Sequence, residues 1–256
     1  MITLTSDFGL KDPYVAEMKG VILTINPNAT LIDITHKVEK YDIRMGAFIL
    51  ASAAPYFPKS AVHVAVVDPG VGTTRRAIIV QTKNGFFIGP DNGLLMIAAQ
   101  AQGIEHIYEI ANPKFMLTKV SSTFHGRDIF APAAAHLDRG IAPQEFGPEV
   151  TDPVTPKFAS VEHKNGALFG EVLHVDDFGN VITNIPKEDL QDGTLKVTLH
   201  HLTLQLALSE TYAETKLHEP TALVGSHGFL ELALNQGSFA EKFHVNAGDK
   251  VQVSAV

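Results

Sequence analysis

The chain has 256 residues, 45% of them hydrophobic and 19% charged, which is typical of a folded protein with one large or two modest domains. It has no cysteine, which excludes disulfides, thiolate metal sites and a cysteine nucleophile. A net charge of −8 without a lysine or arginine run argues against nucleic-acid binding, and the lack of a signal sequence or long apolar stretch predicts a cytoplasmic protein with no membrane partner.

Strand and helix patterns alternate through the first half of the chain. Asp12 and Pro13 are typical of a helix start, with Asp12 as N-cap and Pro13 at the first helical position. Further helices are predicted at 42–54, 93–101 and 128–137, and strands at 2–5, 30–34, 61–67, 77–81 and 86–88. This alternation predicts an α/β domain over residues 1–158, with a mostly parallel sheet between helices.

The second half has a different pattern. Prolines at 143, 148, 153 and 156 indicate an extended linker. Beyond it, apolar residues alternate with polar ones at 195–199, 202–208 and 251–253, which is typical of strands. We therefore expect a smaller all-β, barrel-like domain over residues 165–256.

Three loops of the first half place polar side chains just after a predicted strand or before a helix. They carry Asp7 with Asp12, Asp68 with Arg75, and His125. Ligands of open α/β sheets bind in the crevice beyond the carboxyl ends of the strands, so these residues are candidates for a binding site. Each also has a structural interpretation, because Asp7 could cap backbone amides, Asp68 and Arg75 could form a simple ion pair, and His125 could hydrogen-bond within its loop.

A fourth loop, at residues 175–184, belongs to the second half. Its closely spaced Asp177, Phe178 and Asn180 suit a nucleobase, because a ring can stack on the base while an amide reads its edge. The structural alternative is a turn whose positive φ falls at Gly179 and Asn180.

Taken together, these segments resemble the S-adenosyl-L-methionine (SAM) hydrolase family, adenosine-forming, also called SAM hydroxide adenosyltransferases, which are related to fluorinase and chlorinase. The similarity runs nearly end to end and is specific because the motifs occur in the right order. They are TSDFG at 5–9, VDPGVG at 67–72 followed by Arg75, GPDNG at 89–93, TFHGRD at 123–128, DFGNVITN at 177–184 and GSHGFL at 225–230.

The resemblance implies a function and a set of site residues. The activity would be hydrolysis of SAM to adenosine and methionine by attack of water at ribose C5′, with Asp68, Arg75 and His125 around the water. Asp7 would contact the ribose and Asp12 the methionine amine. The remaining substrate-binding residues implied are Tyr41 as a pocket wall, Thr123 and Phe124 at the reaction centre, and Asp177, Phe178, Asn180 and Ser226 for the adenine and the methionine carboxylate.

The resemblance also implies a homotrimer whose sites lie between subunits, and neither a cofactor nor a metal.

Two departures from the halogenase relatives matter. Where they carry Arg after the serine, this chain has His227, which puts the carboxylate contact in doubt. Where they carry Tyr and Ser, it has Asp68 and Gly126, which argues against halide as the nucleophile.

The chemistry is compatible with these residues. Attack on a sulfonium expels neutral methionine, so the leaving group needs no general acid, and either Asp68 or His125 could orient the water or take its proton. Two other functions stay open at this stage. One is a non-catalytic SAM or adenosine sensor, and the other is an unrelated metal-assisted hydrolase that uses His125 and Asp128.

Overall fold

The computed structural model describes residues 1–200 and 202–256, and the chain divides into two compact units, Met1–Thr155 and Pro156–Val256. The first unit combines a six-stranded sheet with helices. Its strands are β1 (Ile2–Ser6), β2 (Leu31–Thr35), β3 (Ala61–Val66), β4 (Ala77–Thr82), β5 (Gly85–Pro90) and β6 (Ile104–Glu109). Its α-helices are α1 (Tyr14–Ile25), α2 (Ile43–Ala53), α3 (Met96–Ala101) and α4 (Ala131–Asp138).

The strand order of this sheet is β2-β1-β3-β5-β4-β6, and β2, β1, β3 and β5 run parallel. β4 runs antiparallel to both of its neighbours. Helices α1 and α4 pack on one face and α2 and α3 on the other, so a strand such as β3 is buried along its whole length. The predicted α/β domain with a mostly parallel sheet is therefore confirmed. Among the described residues, no helix is long and apolar enough to cross a membrane.

Two local predictions are wrong, and one strand was not predicted. Helix α1 begins one residue later than expected, because Pro13 itself takes the N-cap position without a side-chain cap, and Asp12 does not cap it. The edge strand β6 was missed because its residues are mostly polar and only Ile107 is buried. The segment predicted as an extended linker is not extended at its start, because Pro143–Phe146 forms a short helical turn, Phe146 is buried, and the amide of Glu109 donates to the carbonyl of Pro148.

The second unit is a closed barrel of short strands. Seven strands pair in the ring order β14-β10-β11-β12-β13-β9-β8, which β14 closes by pairing with β8, and β7 adds to the outside of β8. Alternating apolar side chains fill its core, which confirms the all-β, barrel-like prediction. The strands are β7 (Glu162–Lys164), β8 (Ala167–Val175), β9 (Val181–Pro186), β10 (Thr194–Leu199), β11 (Leu202–Ser209), β12 (Pro220–Val224), β13 (Phe229–Leu234) and β14 (Lys250–Ala255), and the helix α5 is Phe239–Phe243.

Candidate active site

A cavity of about 260 Å³ lies within the first unit. Its walls come from the loops that follow β1 and β3, from the loop before α2, and from the loop that leads into α4. Every first-unit residue predicted for the site lines it except Arg75, which contacts two of the lining residues, Asp68 and His125. The lining residues are Asp7, Phe8, Asp12, Tyr14, Lys40, Tyr41, Val66, Asp68, Val71, Thr123, Phe124, His125 and Gly126.

Asp68 and Arg75 form a nearly buried ion pair. The Asp68 side chain is 5% exposed and that of Arg75 is 10% exposed. The Nε atom of Arg75 lies 3.0 Å from each carboxylate oxygen, and Nη2 donates to Oδ2 as well. Charge-assisted contacts of this forked kind fix both side chains in one orientation. The pair therefore presents a rigid carboxylate to the cavity.

The same arginine also fixes the imidazole of His125. Nη2 of Arg75 lies 2.8 Å from Nδ1 of His125. A guanidinium has only donors, so Nδ1 must be the acceptor and carry no proton. The proton of the neutral imidazole is then on Nε2. His125 is thus a hydrogen-bond donor at Nε2, and it lines the cavity with Asp68.

The surroundings of His125 favour this neutral form. Burial lowers the pKa of His125, the positive charge of Arg75 lowers it further, and the charges of Asp68 and Asp128 partly oppose the shift. Desolvation and a like charge both disfavour an imidazolium. At neutral pH the tautomer inferred from the Arg75 contact is therefore the populated one.

The backbone of the two loops explains how these groups meet. Gly72 has a φ of +76°, and a Cβ atom there would lie 2.2 Å from the carbonyl oxygen of Ser122. A glycine is required because the loop after β3 packs directly on the loop before α4. The chain then enters α4 through a π-helical turn, Gly126–Phe130, of a kind frequent at functional sites.

Asp128 holds this second loop together and is not available as a ligand. Its side chain is fully buried, its Oδ2 accepts from the amide of Ser121 at 2.7 Å, and its Oδ1 accepts from Nε of Arg127 at 2.6 Å. Within residues 1–200 and 202–256, no three His, Asp or Glu side chains are grouped as metal ligands. The residues proposed for a metal-assisted hydrolase therefore do not form a metal site.

One wall of the cavity is aromatic. Phe8, Tyr14 and Phe124 meet edge to face, with ring centroids 5.1–5.9 Å apart. Gly126 lies against this wall, because a Cβ atom there would be 3.2 Å from Phe124 and 3.3 Å from the sulfur of Met18. Sequence reasoning did not single out Phe8 or Tyr14, although an aromatic residue on each side of the Asp7 loop was a signal. The wall gives the site an apolar side.

Asp7 caps a backbone amide, as its structural interpretation predicted, and its contact with the ribose stays a prediction. Its Oδ2 accepts from the backbone amide of Tyr41 at 2.9 Å, so it does cap an amide. It also lines the cavity, as do Asp12, Tyr41 and Thr123, all three of which are exposed at the surface. Tyr41 has a left-handed φ of 66°, and the contact with Asp7 holds it there.

The remaining predicted residues belong to the second unit, and a tight turn organises them. Phe178 is 80% exposed and Asp177 is exposed, whereas Asn180 is buried. Asp176 accepts from the amides of Phe178 and Asn180, and its Oδ2 also accepts from the Asn180 side chain at 2.9 Å. Gly179 has a φ of +79°, as the turn alternative required. Asp176 thus shapes the loop that presents Phe178, and the side-chain amide of Asn180 is engaged by the Asp176 carboxylate.

Ser226 lies on an exposed turn of the same unit. The next residue, His227, has its Nε2 atom 3.2 Å from Oε2 of the buried Glu231. The phenol of Tyr212 donates to the other oxygen of Glu231 at 2.6 Å. His227 is therefore engaged by Glu231 within its own unit.

The fold and the cavity define an α/β protein that binds a small molecule beyond the strand ends, with a barrel following it. A family model for the SAM hydroxide adenosyltransferase N-terminal domain matches residues 2–147, and one for the C-terminal domain matches residues 170–252. The chain belongs to the SAM hydroxide adenosyltransferase family.

Individual relatives agree with this assignment. The chain is 40% identical to a protein named (R)-S-adenosyl-L-methionine hydrolase from Salinispora arenicola, covering 99% of this chain and 97% of that one. It is 31% identical to a fluorinase from Nocardia brasiliensis, covering 99% and 96%. A crystal structure of an uncharacterized conserved protein from Thermotoga maritima superposes with a TM-score of 0.88 at 38% identity, over 100% of both chains.

Proposed function

We propose that this protein hydrolyses S-adenosyl-L-methionine to adenosine and L-methionine by attack of water at ribose C5′. The observation that carries the proposal is that one nitrogen, Nη2 of Arg75, contacts both Asp68 and His125, and that both of these residues line the cavity. Relatives matched over 99% of this chain are named (R)-S-adenosyl-L-methionine hydrolase, which supports the proposal. The same relatives are named for the R sulfonium epimer, and we propose that epimer as the substrate.

The two side chains are complementary to a water molecule. Asp68 offers carboxylate oxygens that accept a hydrogen bond from the water, and His125 offers Nε2–H to the water oxygen. His125 cannot act as the base in this state, because Nε2 carries a proton and the Nδ1 lone pair accepts from Arg75. We therefore assign proton acceptance to Asp68, which decides between the two residues that the sequence left open.

The reaction then balances without a cofactor. The water oxygen forms a bond to C5′ while the C5′–sulfur bond breaks, and its electron pair leaves on the neutral thioether of methionine. Positive charge moves from sulfur to the attacking oxygen, where the Asp68 carboxylate stabilises it and takes the proton. General-base assistance of this kind contributes about 10²–10⁴-fold. The proton passes from Asp68 to solvent after adenosine leaves.

Arg75 acts through its two partners. Its N–H groups donate to Asp68, to His125 and, at 3.5 Å, to the carbonyl of Arg76, so its contribution is to align the carboxylate and to select the tautomer. The guanidinium of Arg75 also makes a cation–π contact with Phe130, with 5.3 Å between Cζ and the ring centroid. Arginine suits this role because it stays protonated at any working pH.

The other predicted residues are proposed to hold the substrate. Asp7 accepts from the ribose diol and Asp12 pairs with the methionine amine, because both carboxylates line the cavity near Asp68. Tyr41, Thr123 and Phe124 form walls around the reacting carbon. In the second unit, the loop of Asp177, Phe178 and Asn180 takes the adenine, with stacking on the exposed Phe178 ring, and Ser226 takes the methionine carboxylate.

We further propose a homotrimer in which the loop of Asp177, Phe178 and Asn180, together with Ser226, of one subunit completes the cavity of the next. The family resemblance supports it, and so does the finding that the lining residues of the cavity all come from the first unit. A site shared in this way makes activity depend on assembly. Light scattering with activity measured across a dilution series tests it, and a fully active monomer at nanomolar protein contradicts it. Action in the cytoplasm stays a prediction.

The test of the function is direct. Purified protein is incubated with each sulfonium epimer of SAM, with and without excess chelator, and the products are separated by chromatography. We expect equal amounts of adenosine and methionine from the R epimer, at the same rate with chelator. Tight SAM binding without products would identify a sensor instead. Loss of activity in chelator, restored by a divalent ion, would contradict the metal-free mechanism.

A further inference from the structure

The segment at the carboxyl end of β5, residues 89–93, contacts both ends of the β3–β4 loop that contains Asp68 and Arg75. In the sheet, β5 is flanked by β3, which ends before Asp68, and by β4, which begins after Arg75. β5 runs parallel to β3 and antiparallel to β4. Its carboxyl end therefore meets the end of one neighbour and the start of the other. Nothing in the proposed reaction uses this GPDNG segment.

Asn92 holds the residue that precedes Asp68. Its Nδ2 donates to the carbonyl oxygen of Val67 at 2.9 Å, and its Oδ1 accepts from the amide of Leu94 at 3.1 Å. The second contact closes an Asx turn, which fixes the side chain in the orientation that reaches Val67. Val67 is fully buried. The peptide that leads into Asp68 is thus held from both the sheet and the turn.

Asp91 holds the residue that follows Arg75. Its side chain is 2% exposed, and its Oδ2 lies 2.8 Å from Nε and 2.7 Å from Nη2 of Arg76. The backbone amide of Asp91 donates to the carbonyl of Arg76 at 2.9 Å. Its other oxygen, Oδ1, accepts from the amide of Val154. Arg76 is therefore fixed at its backbone and at its side chain.

We propose that Asp91 and Asn92 are positioning residues for the Asp68–Arg75 pair, each holding the neighbour of one member. The inference rests on the proposed function, because the pair matters only if it orients the reacting water. A fork of hydrogen bonds near 3 Å requires both backbones to stay in place. A displacement of about 1 Å at a reacting centre can cost about 10²-fold in rate, so a loosened turn should lower turnover.

The chain supplies a matched control. Asn112 makes the same two contacts as Asn92, since its Nδ2 donates to the carbonyl of Glu145 at 2.9 Å and its Oδ1 accepts from the amide of Lys114 at 3.1 Å. Both asparagines are partly buried. Asn112→Ala therefore removes the same hydrogen bonds at a turn away from the cavity.

The experiment measures kcat and KM for adenosine formation in wild type, Asn92→Ala and Asn112→Ala, with melting temperatures for all three. We expect Asn92→Ala to lower kcat about tenfold or more at similar KM, and Asn112→Ala to stay within about twofold. Equal losses in the two variants, or a rise in KM with kcat unchanged, overturn the proposal. If Asn92→Ala does not fold, Asp91→Asn against Asp138→Asn gives the same comparison, because Asp138 holds the N-terminal amine and Asn26.

A second readout does not need turnover. The imidazole of His125, assigned by its loss in His125→Asn, is titrated by NMR in the same proteins. Burial and the charge of Arg75 lower its pKa and the charge of Asp68 opposes this, so a displaced pair should change that pKa in Asn92→Ala but not in Asn112→Ala. An inactive wild type would refute the proposed function alone, and an unchanged His125 titration in Asn92→Ala would refute the positioning role.

Discussion

Replacing His125 by glutamine and by asparagine separates the two tasks assigned to its imidazole. An asparagine amide reaches roughly the place of Nδ1, and a glutamine amide reaches the place of Nε2. Asparagine can thus accept from Arg75, which now lies 2.8 Å from Nδ1, but it presents no donor to the water. Glutamine can present an N–H where His125 presents Nε2–H.

The expected magnitudes follow from the donor role. The Nε2–H donor positions the attacking water, and a displacement of about 1 Å at a reacting centre can cost about 10²-fold in rate. His125→Asn and His125→Ala should both show a loss of this size. His125→Gln keeps a donor with imperfect geometry and should lose only about tenfold, which is about 1.4 kcal/mol.

The assay is the initial rate of adenosine formation at saturating SAM, with SAM affinity measured by calorimetry as a check on folding. An amide cannot take a proton from water at neutral pH. If His125 were the base, His125→Gln would be as inactive as His125→Ala. That equality would refute the tautomer argument and return the proton acceptor to His125.

Three further outcomes are expected. Asp68→Ala should lower kcat far more than SAM affinity, whereas Asp7→Ala should mainly weaken affinity by calorimetry; similar affinity losses would contradict this division of roles. Burial lowers the pKa of His63 from 6.5 to about 4. At about 1.4 kcal/mol per pKa unit, the neutral imidazole contributes about 3 kcal/mol to the free energy of unfolding. Because the folded protein disfavours the charged imidazole, this stability is complete above pH 6.5 and is lost as the pH falls to about 4. In denaturant unfolding, the free energy of unfolding of His63→Gln should therefore fall less on acidification than that of the wild type. An equal fall in the two proteins would contradict the assignment to His63. In ¹⁸O-water the label should appear on the 5′-oxygen of adenosine, and molar chloride should give no 5′-chloro-5′-deoxyadenosine, because a halide beside the Asp68 carboxylate is repelled.

Much of the fold was predictable because local pattern and burial agree. β3 is apolar and buried throughout, and the alternating strands of the barrel have one face in the core. β6 could not be predicted in this way, since it is held by pairing with β4 rather than by its own apolar pattern. The packing of the 143–148 segment against the rest of the first unit could not be predicted either. A proline-rich composition does not reveal which backbone carbonyls accept hydrogen bonds, as that of Pro148 does from the amide of Glu109.

The sequence predicted which loops carry the candidate site, but not the roles of their side chains. The motif order brought Asp68, Arg75 and His125 forward as a set. That Arg75 directs its donors at the other two depends on side-chain orientation across loops fifty residues apart. The direction of one hydrogen bond then determines the tautomer of His125, and spacing along the chain carries no such information.

The tight packing around Gly126 has a consequence for how a water-using site could be converted into a halide-using one. A hydroxymethyl group at 126 needs space that the Phe124 ring now fills at 3.2 Å, so Gly126→Ser alone strains the wall. Replacing Asp68 alone removes the carboxylate that neutralises Arg75 and leaves that guanidinium facing His125. The two changes thus disturb different contacts of the site, the aromatic wall in one case and the ion pair in the other. Conversion of such a site to halide chemistry therefore has to accommodate a changed wall at Gly126 as well as a changed ion pair at Arg75.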